Sequence, residues 1–437
     1  MRLNKSLLLL AAILLVPGFV ICQRSGPDAT PPSDTINVRA DAALPPDTSS
    51  FRQQDIKDWL VGKGWMKKKP EKNKFFLVIP VVAANPTAGF IFGGGFTLAY
   101  KTAPTDTRLS TASSNATYSS NHLLNLNVKT NAFVLNERMV LNGDWRYLIN
   151  SETTYGLGTK SKFSGQTGLN GYNISNDSLG DPLQFRHIRV DEIASWQLFR
   201  NFFAGAGFQF DHRYDITDEE WSAGDTALAY HYRYSKEHGF DSSKYTTSGF
   251  CLNLLFDSRD NGINAYSGFY GNVNYQINST SFGSSKNSTL LLLEYRSFHS
   301  LDGEKRRNIL SFWLYGNFVT SGEVPYLALP ALGYDQRQRT GRGYSFGRFR
   351  GEDLLYGESE YRFPISSHTG ILGGVVFVNC TSTTNRMLNI SLLNYLQVSS
   401  GTGLRIMLDK KSRTRLEVDA AIAHRSVGFY FGAQETF

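Results

Sequence analysis

Cysteine is scarce in this chain: there are three, of which Cys22 lies in the N-terminal segment while Cys251 and Cys380 sit far apart. That spacing builds no disulfide framework. Long apolar runs are also missing. Beyond the N-terminus no window holds the roughly 20 apolar residues of a membrane-crossing helix, which argues against a helical inner-membrane protein. Catalytic signatures are absent as well: there is no G-x-S-x-G, no H-E-x-x-H and no paired-cysteine motif, and the eight histidines are scattered. The neighbouring carboxylates Asp257 and Asp260, or Glu358 and Glu360, stand where turns and strand walls need polar groups. Neither an enzyme nor a bound cofactor or metal is expected. The net charge of +7 comes with no nucleic-acid motif, and Lys67, Lys68, Lys69, Lys72 and Lys74 supply much of it in one short run. A solvated flank beside a membrane accounts for such a run better than nucleic-acid binding does.

What the chain has is aromatic residues, glycine and alternation. Residues 1–22 read as a secretory signal peptide: Arg2 and Lys5 precede the apolar stretch Leu7 to Val16, and Val20-Ile21-Cys22 offers a cleavage site. Residues 23–74 form a periplasmic linker, rich in Pro, Asp, Ser and Thr up to residue 50 and expected to be disordered there, with a short helix over Phe51 to Leu60. Residues 75–437 then alternate between apolar and polar positions and break into about sixteen strands. In the segment 354–365, Leu355, Gly357, Ser359, Tyr361 and Phe363 share one face, and Tyr356, Glu358, Glu360 and Arg362 the other. In 414–424, Thr414, Leu416, Val418, Ala420 and Ile422 oppose Arg415, Glu417 and Asp419. A soluble sheet hides its apolar face, whereas a membrane barrel turns it to lipid and keeps charge in a wet lumen. Strand lengths of about 9–11 residues, with short turns alternating with long loops, favour the second. The expected fold is an all-β transmembrane antiparallel barrel in a Gram-negative outer membrane, in contact with its lipid.

Four segments carry a more specific signal. Pro80 to Gly95 form an opening hairpin. Phe256-Asp257-Ser258-Arg259-Asp260-Asn261 reads as a turn in which Asp257, Arg259 and Asp260 organise the backbone at the periplasmic end. Arg342-Gly343-Tyr344 sits in a long polar loop just before the strand bearing Glu360, and Phe377-Val378-Asn379 lies on the strand after that. Tyr430, Gly432 and Phe437 close the chain. Together these segments resemble the BamA/TamA superfamily of outer-membrane barrels, surface-antigen type, from the first strand to the last residue. The resemblance implies that the loop folds into the lumen, that Arg342 meets Glu360 there, and that Tyr430, Gly432 and Phe437 form a C-terminal signal read by the assembly machinery that inserts the barrel. The family pattern has Asp where this chain has Asn379, so a neutral hydrogen bond at most is expected from that side, and Asn379→Asp is expected to strengthen the contact. Glu435 stands where an aromatic residue is expected. The resemblance further implies support of protein translocation or outer-membrane protein insertion. Members with an assembly role carry POTRA domains before the barrel. The space between signal and barrel is too short for one, so the alternative of a passive or gated pore, or a structural barrel, stays open, as does a periplasmic partner protein.

Overall fold

The computed structural model describes residues 53–67, 74–85, 89–101, 108–159, 180–224, 229–303, 308–366, 368–424, 426–432, 435 and 437. The signal peptide, most of the linker and the 160–179 part of the loop before Pro182 lie outside the described residues.

Sixteen strands pair antiparallel, each with its sequence neighbours, from first to last. They are β1 (Lys74–Asn85), β2 (Gly89–Tyr100), β3 (Ser110–Ser119), β4 (Leu124–Val134), β5 (Met139–Thr154), β6 (Asp181–Phe199), β7 (Phe202–Asp218) and β8 (Tyr245–Asp257). The second half comprises β9 (Gly268–Asn278), β10 (Ser288–Ser300), β11 (Ile309–Gly322), β12 (Asp353–Pro364), β13 (Leu372–Thr383), β14 (Gln397–Asp409), β15 (Thr414–Ala423) and β16 (Ser426–Gly432). The chain is a β-barrel of up-and-down topology.

Its packing is inside out. Along β8, Phe250, Leu252, Leu254 and Phe256 are exposed while Cys251, Asn253, Leu255 and Asp257 are buried. Phe92, Phe208, Leu314, Val376, Leu404, Phe429 and Phe431 continue the exposed apolar band on other strands. The fully buried set includes Arg342, Arg350, Arg362 and Arg405. Water would reverse this arrangement, because burying charge is costly and exposing leucine gains nothing. A bilayer around the wall and a polar lumen within make it stable.

The connections fix the two ends. Short turns such as 135–138, 200–201 and 410–413 lie at the periplasmic end, and the longer segments 219–244 and 323–352 at the extracellular end. β5, β6 and β7 run to 16, 19 and 17 residues, well past the about 9–11 that cross a bilayer. The outer ends of β6 and β7 meet α3 (Tyr230–Glu237), which follows the short α2 (Glu219–Ala223) in the β7–β8 connection. There Tyr230, Tyr234, Tyr245, Tyr326, Leu327 and Leu329 pack into an extracellular apolar cap. The sequence shows this connection only as a long loop.

At the periplasmic end α1 (Ile56–Gly62) begins five residues later than its expected start. Asp55 is the reason: its carboxylate accepts from the Asp58 N–H at 2.9 Å in a capping box. The helix docks on the β14–β15 turn, where Lys57 pairs with Asp409 at 3.1 Å and Lys410 with Asp58 at 2.7 Å.

The lipid-facing band gives a direct test. Leu252→Arg is expected to cost about 2–4 kcal/mol in vesicles if the site lies near the bilayer midplane. The same exposed change on a water-facing sheet costs within about 0.5 kcal/mol. Reversible urea unfolding in lipid vesicles distinguishes the two values.

Candidate functional site: the loop inside the barrel

The 323–352 connection is long and mostly without regular structure, so it needs partners for its backbone wherever water is excluded. It supplies many itself. The Asp335 carboxylate accepts from the backbone N–H groups of Arg337, Arg339 and Thr340 at 3.0, 2.9 and 2.8 Å, and the Thr340 hydroxyl accepts from the Gly333 N–H at 2.8 Å. The tip is therefore a preorganised turn. At its outer end Arg350 ties the loop to β5: its guanidinium donates to Glu152 at 2.6 Å, to the Tyr334 hydroxyl at 2.9 Å and to the Tyr326 carbonyl at 3.0 Å.

Arg342 reaches the barrel wall beyond that turn. Nη1 donates to Asp419 on β15 at 2.7 Å, and Nη2 donates to Glu360 at 2.5 Å and to Glu358, both on β12. The guanidinium lies 3.5 Å over the Phe377 ring of β13. Strand pleating presents Glu358 and Glu360 on one face, two residues apart, so one guanidinium nitrogen reaches both while the other takes Asp419. These groups belong to a larger charge network. Arg362 pairs with Glu360 at 2.6 Å, Arg405 with Glu435 at 2.7 Å and with Asp419, and Arg339 with Glu417 at 2.6 Å. Arg415 approaches Glu435 at 3.7 Å. Arg339, Arg342, Arg362, Arg405 and Arg415 thus meet Glu358, Glu360, Glu417, Asp419 and Glu435, and the formal charges cancel.

The rest of the motif fits around this contact. Gly343 has φ 105°, and a Cβ there would lie 2.7 Å from that of Ser399. Only glycine takes that backbone conformation without strain. Its N–H donates to the Tyr430 hydroxyl on β16 at 2.8 Å. The Tyr344 hydroxyl donates to the Val398 carbonyl at 3.0 Å, and its ring meets Phe349 edge-on. Gly432 leaves room for Arg339 and Glu417, into which a Cβ would collide.

Asn379 stands beside Arg342 in a different role from the one the pattern suggests. Its Nδ2 donates to the Arg342 backbone carbonyl at 3.0 Å, while its Oδ1 accepts from Ser399 at 3.0 Å. Carboxylates other than residue 379 surround the guanidinium, namely Glu358 and Asp419 beside Glu360. Sequence reasoning placed both on lumen-facing positions without assigning them to Arg342. The end of the chain also differs from a strand running to its last residue. β16 stops at Gly432. Phe437 is buried against Trp313, ring centroids 5.4 Å apart, with its carbonyl accepting from Arg362 at 3.0 Å. The unexpected Glu435 is the buried carboxylate that Arg405 needs.

Away from the loop, Arg259 holds Asp257 with two hydrogen bonds of 2.9 and 2.8 Å and lies 4.5 Å over Tyr270. Asp260 accepts from the Tyr266 N–H at 2.9 Å and pairs with Arg413 at 2.8 Å. This triad organises the β8–β9 turn and links it to the β14–β15 turn; it is not part of the Arg342 network.

No protein-family model matches the sequence, and no curated protein does. Solved structures do match. BamA from Haemophilus ducreyi, in a crystal structure lacking POTRA domains 1–3, aligns with a TM-score of 0.52 at 12% identity, over 83% of this chain and 70% of that one. CdiB from Escherichia coli aligns with a TM-score of 0.50 at 11% identity, over 83% of this chain and 63% of that one, so this chain spans less than two thirds of CdiB. Identities this low speak for fold alone: the described residues form a sixteen-stranded β-barrel like those of the two solved structures, with a long loop folded into its lumen.

The network sets the effect of mutation. Arg342→Ala leaves Glu358, Glu360 and Asp419 short of a cation, and breaking a buried pair in this way costs about 3–5 kcal/mol. The barrel should unfold at lower temperature on heat-modifiable gels, and the loop should become open to added protease. Asn379→Asp should also lower the melting temperature, because it sets a carboxylate against the Arg342 carbonyl; a rise would restore the family-pattern expectation.

Proposed function

We propose that this barrel supports insertion of outer-membrane proteins or translocation of proteins across the outer membrane, with the lumen loop as a stabiliser of a barrel whose closing seam is weak. The observation that carries the reading is the pairing of a densely anchored loop with a short final strand. Among the described residues β16 has seven against twelve in β1, so the described edge on that side of the seam is the shorter one. A barrel that opens along one edge exposes unpaired strand groups on which an incoming strand can template. Such a barrel needs its remaining wall held by something else. The Arg342 network does this by tying the loop to β12 and β15, and Gly343 ties it to β16. The same loop argues against a passive pore, because it crosses the lumen and fills it with packed side chains such as Leu332, Tyr344 and Phe349.

A gated pore is the second reading, favoured by the cavities that persist beside the loop, of about 840 and about 180 Å3. Partners under the first reading are an unfolded client, the outer-membrane lipid, the machinery that inserts this barrel, and a periplasmic protein that delivers the client.

Purified protein in lipid vesicles, mixed with an unfolded outer-membrane barrel, tests the proposal. Client folding should run several-fold faster than in protein-free vesicles, and Arg342→Ala should remove most of the gain. Client folding at the protein-free rate, together with steady conductance in planar bilayers that rises in Arg342→Ala, would replace the proposal with the gated pore.

A further inference from the structure

The larger cavity lies in the periplasmic half of the lumen, apart from the Arg342 network. Strands β2, β3 and β4 form one side, the loop tip at Gln336 to Arg339 another, and the turns carrying Asp260 and Arg413 its periplasmic rim. Its charges are unbalanced. Arg259 and Arg413 are matched by Asp257 and Asp260, and Arg339 by Glu417. Lys129 and Arg337 have no carboxylate within ion-pair distance among the described residues. Lys129 Nζ has the Gln338 side-chain oxygen at 3.4 Å, and Arg337 Nη2 has the Gly262 carbonyl at 3.4 Å. Arg337 Nη1 is buried without a hydrogen-bond partner, and so is Nη1 of Arg108 on the same wall. Half-buried cations of this kind are costly unless an anion shares the site.

The wall between them carries a second signal. Asn115 and Asn131 line the same cavity, and the Oδ1 atom of each is buried and unpartnered. These are acceptors, and they call for donors. Thr111, Ser113 and Thr130 add hydroxyls close by. A bare anion answers the cations alone, and a neutral sugar the amides alone. A molecule with both phosphate oxygens and hydroxyl groups answers both, and the cavity is of the size that holds small molecules.

We propose that this cavity binds a phosphorylated sugar or polyol from the periplasmic side, with Lys129 and Arg337 holding the phosphate and Asn115 and Asn131 accepting from its hydroxyls. Because Lys129 is on β4 and Arg337 is on the loop tip, the ligand bridges wall and loop and rigidifies the tip. The chemistry is shared by a soluble sugar phosphate and by the headgroup of a phosphatidylglycerol lipid.

Calorimetric titration of the full chain in neutral detergent with a hexose phosphate tests the site. Saturable binding is expected, with protection of the loop tip from protease. Lys129→Gln and Arg337→Gln should each weaken binding about tenfold or more, the effect of losing a hydrogen bond to a charged group. Lys129→Arg, which keeps the charge, should bind within a few-fold of the parent and checks that loss of binding is not loss of fold. Repeating the titration in nanodiscs identifies the source. Binding in phosphatidylcholine discs that disappears in phosphatidylglycerol discs assigns the site to the lipid headgroup, and equal binding in both assigns it to a soluble ligand. No saturable binding, equal binding of the unphosphorylated hexose, or affinity unchanged in both glutamine variants would overturn the proposal.

Discussion

A guanidinium buried inside a membrane barrel is tolerable only if carboxylates surround it, and this requirement organises the lumen. Arg342 brings one positive charge on a loop; β12 and β15 answer with Glu358, Glu360 and Asp419. Those carboxylates exceed what one arginine balances, so Arg362 and Arg405 are drawn in, and with them Glu435 and Glu417. Each added ion is buried and each needs the next. The result joins the loop, three strands (β12, β14 and β15) and the tail beyond β16 into one cooperative unit. Buried ion pairs add little net stability over apolar packing, but removing one member is costly. The network therefore specifies where the loop sits more than it raises the stability of the barrel.

The position of the loop has two consequences. It occupies the lumen, which takes the barrel away from simple conduction. It also ties β12, β15 and β16 together, so the wall beside the short last strand is held from inside. Gly343 shows how tightly this is specified: its positive φ and its contact with Ser399 leave no space for a side chain. The periplasmic cavity is what the loop leaves unfilled, and its unmatched Lys129 and Arg337 contrast with the balanced network a short way above.

Much of this was legible in the sequence. Period-two alternation is a direct image of lipid on one side and lumen on the other, so strand number, strand type and the faces of Glu358, Glu360 and Asp419 could be read. Arg342 and Glu360 were legible as a pair through family resemblance. The assignment of Asp419 was not, because it depends on which strand of the wall lies within reach of the loop, and sequence separation says nothing of that. Asn379 makes the neutral hydrogen bond expected of it, but the pattern compares residue types at one position and so does not show that the side chain turns to the backbone carbonyl of Arg342. Glu435 looked like a defect in an aromatic pattern until Arg405 was seen beside it. The helices of the 219–244 connection were hidden because they are short and lie in a polar segment between strands.

Hydrogen exchange of the backbone amides from Gly341 to Tyr344, measured on the native protein in lipid, tests the central claim most directly. If the charge network fixes the loop in the lumen, these amides exchange as slowly as those in the middle of β12, and they speed up in a Glu358→Gln, Glu360→Gln variant in which the barrel is otherwise intact. Exchange in the native protein as fast as in an exposed surface loop would show that the network does not hold the loop, and the account built on it would fail.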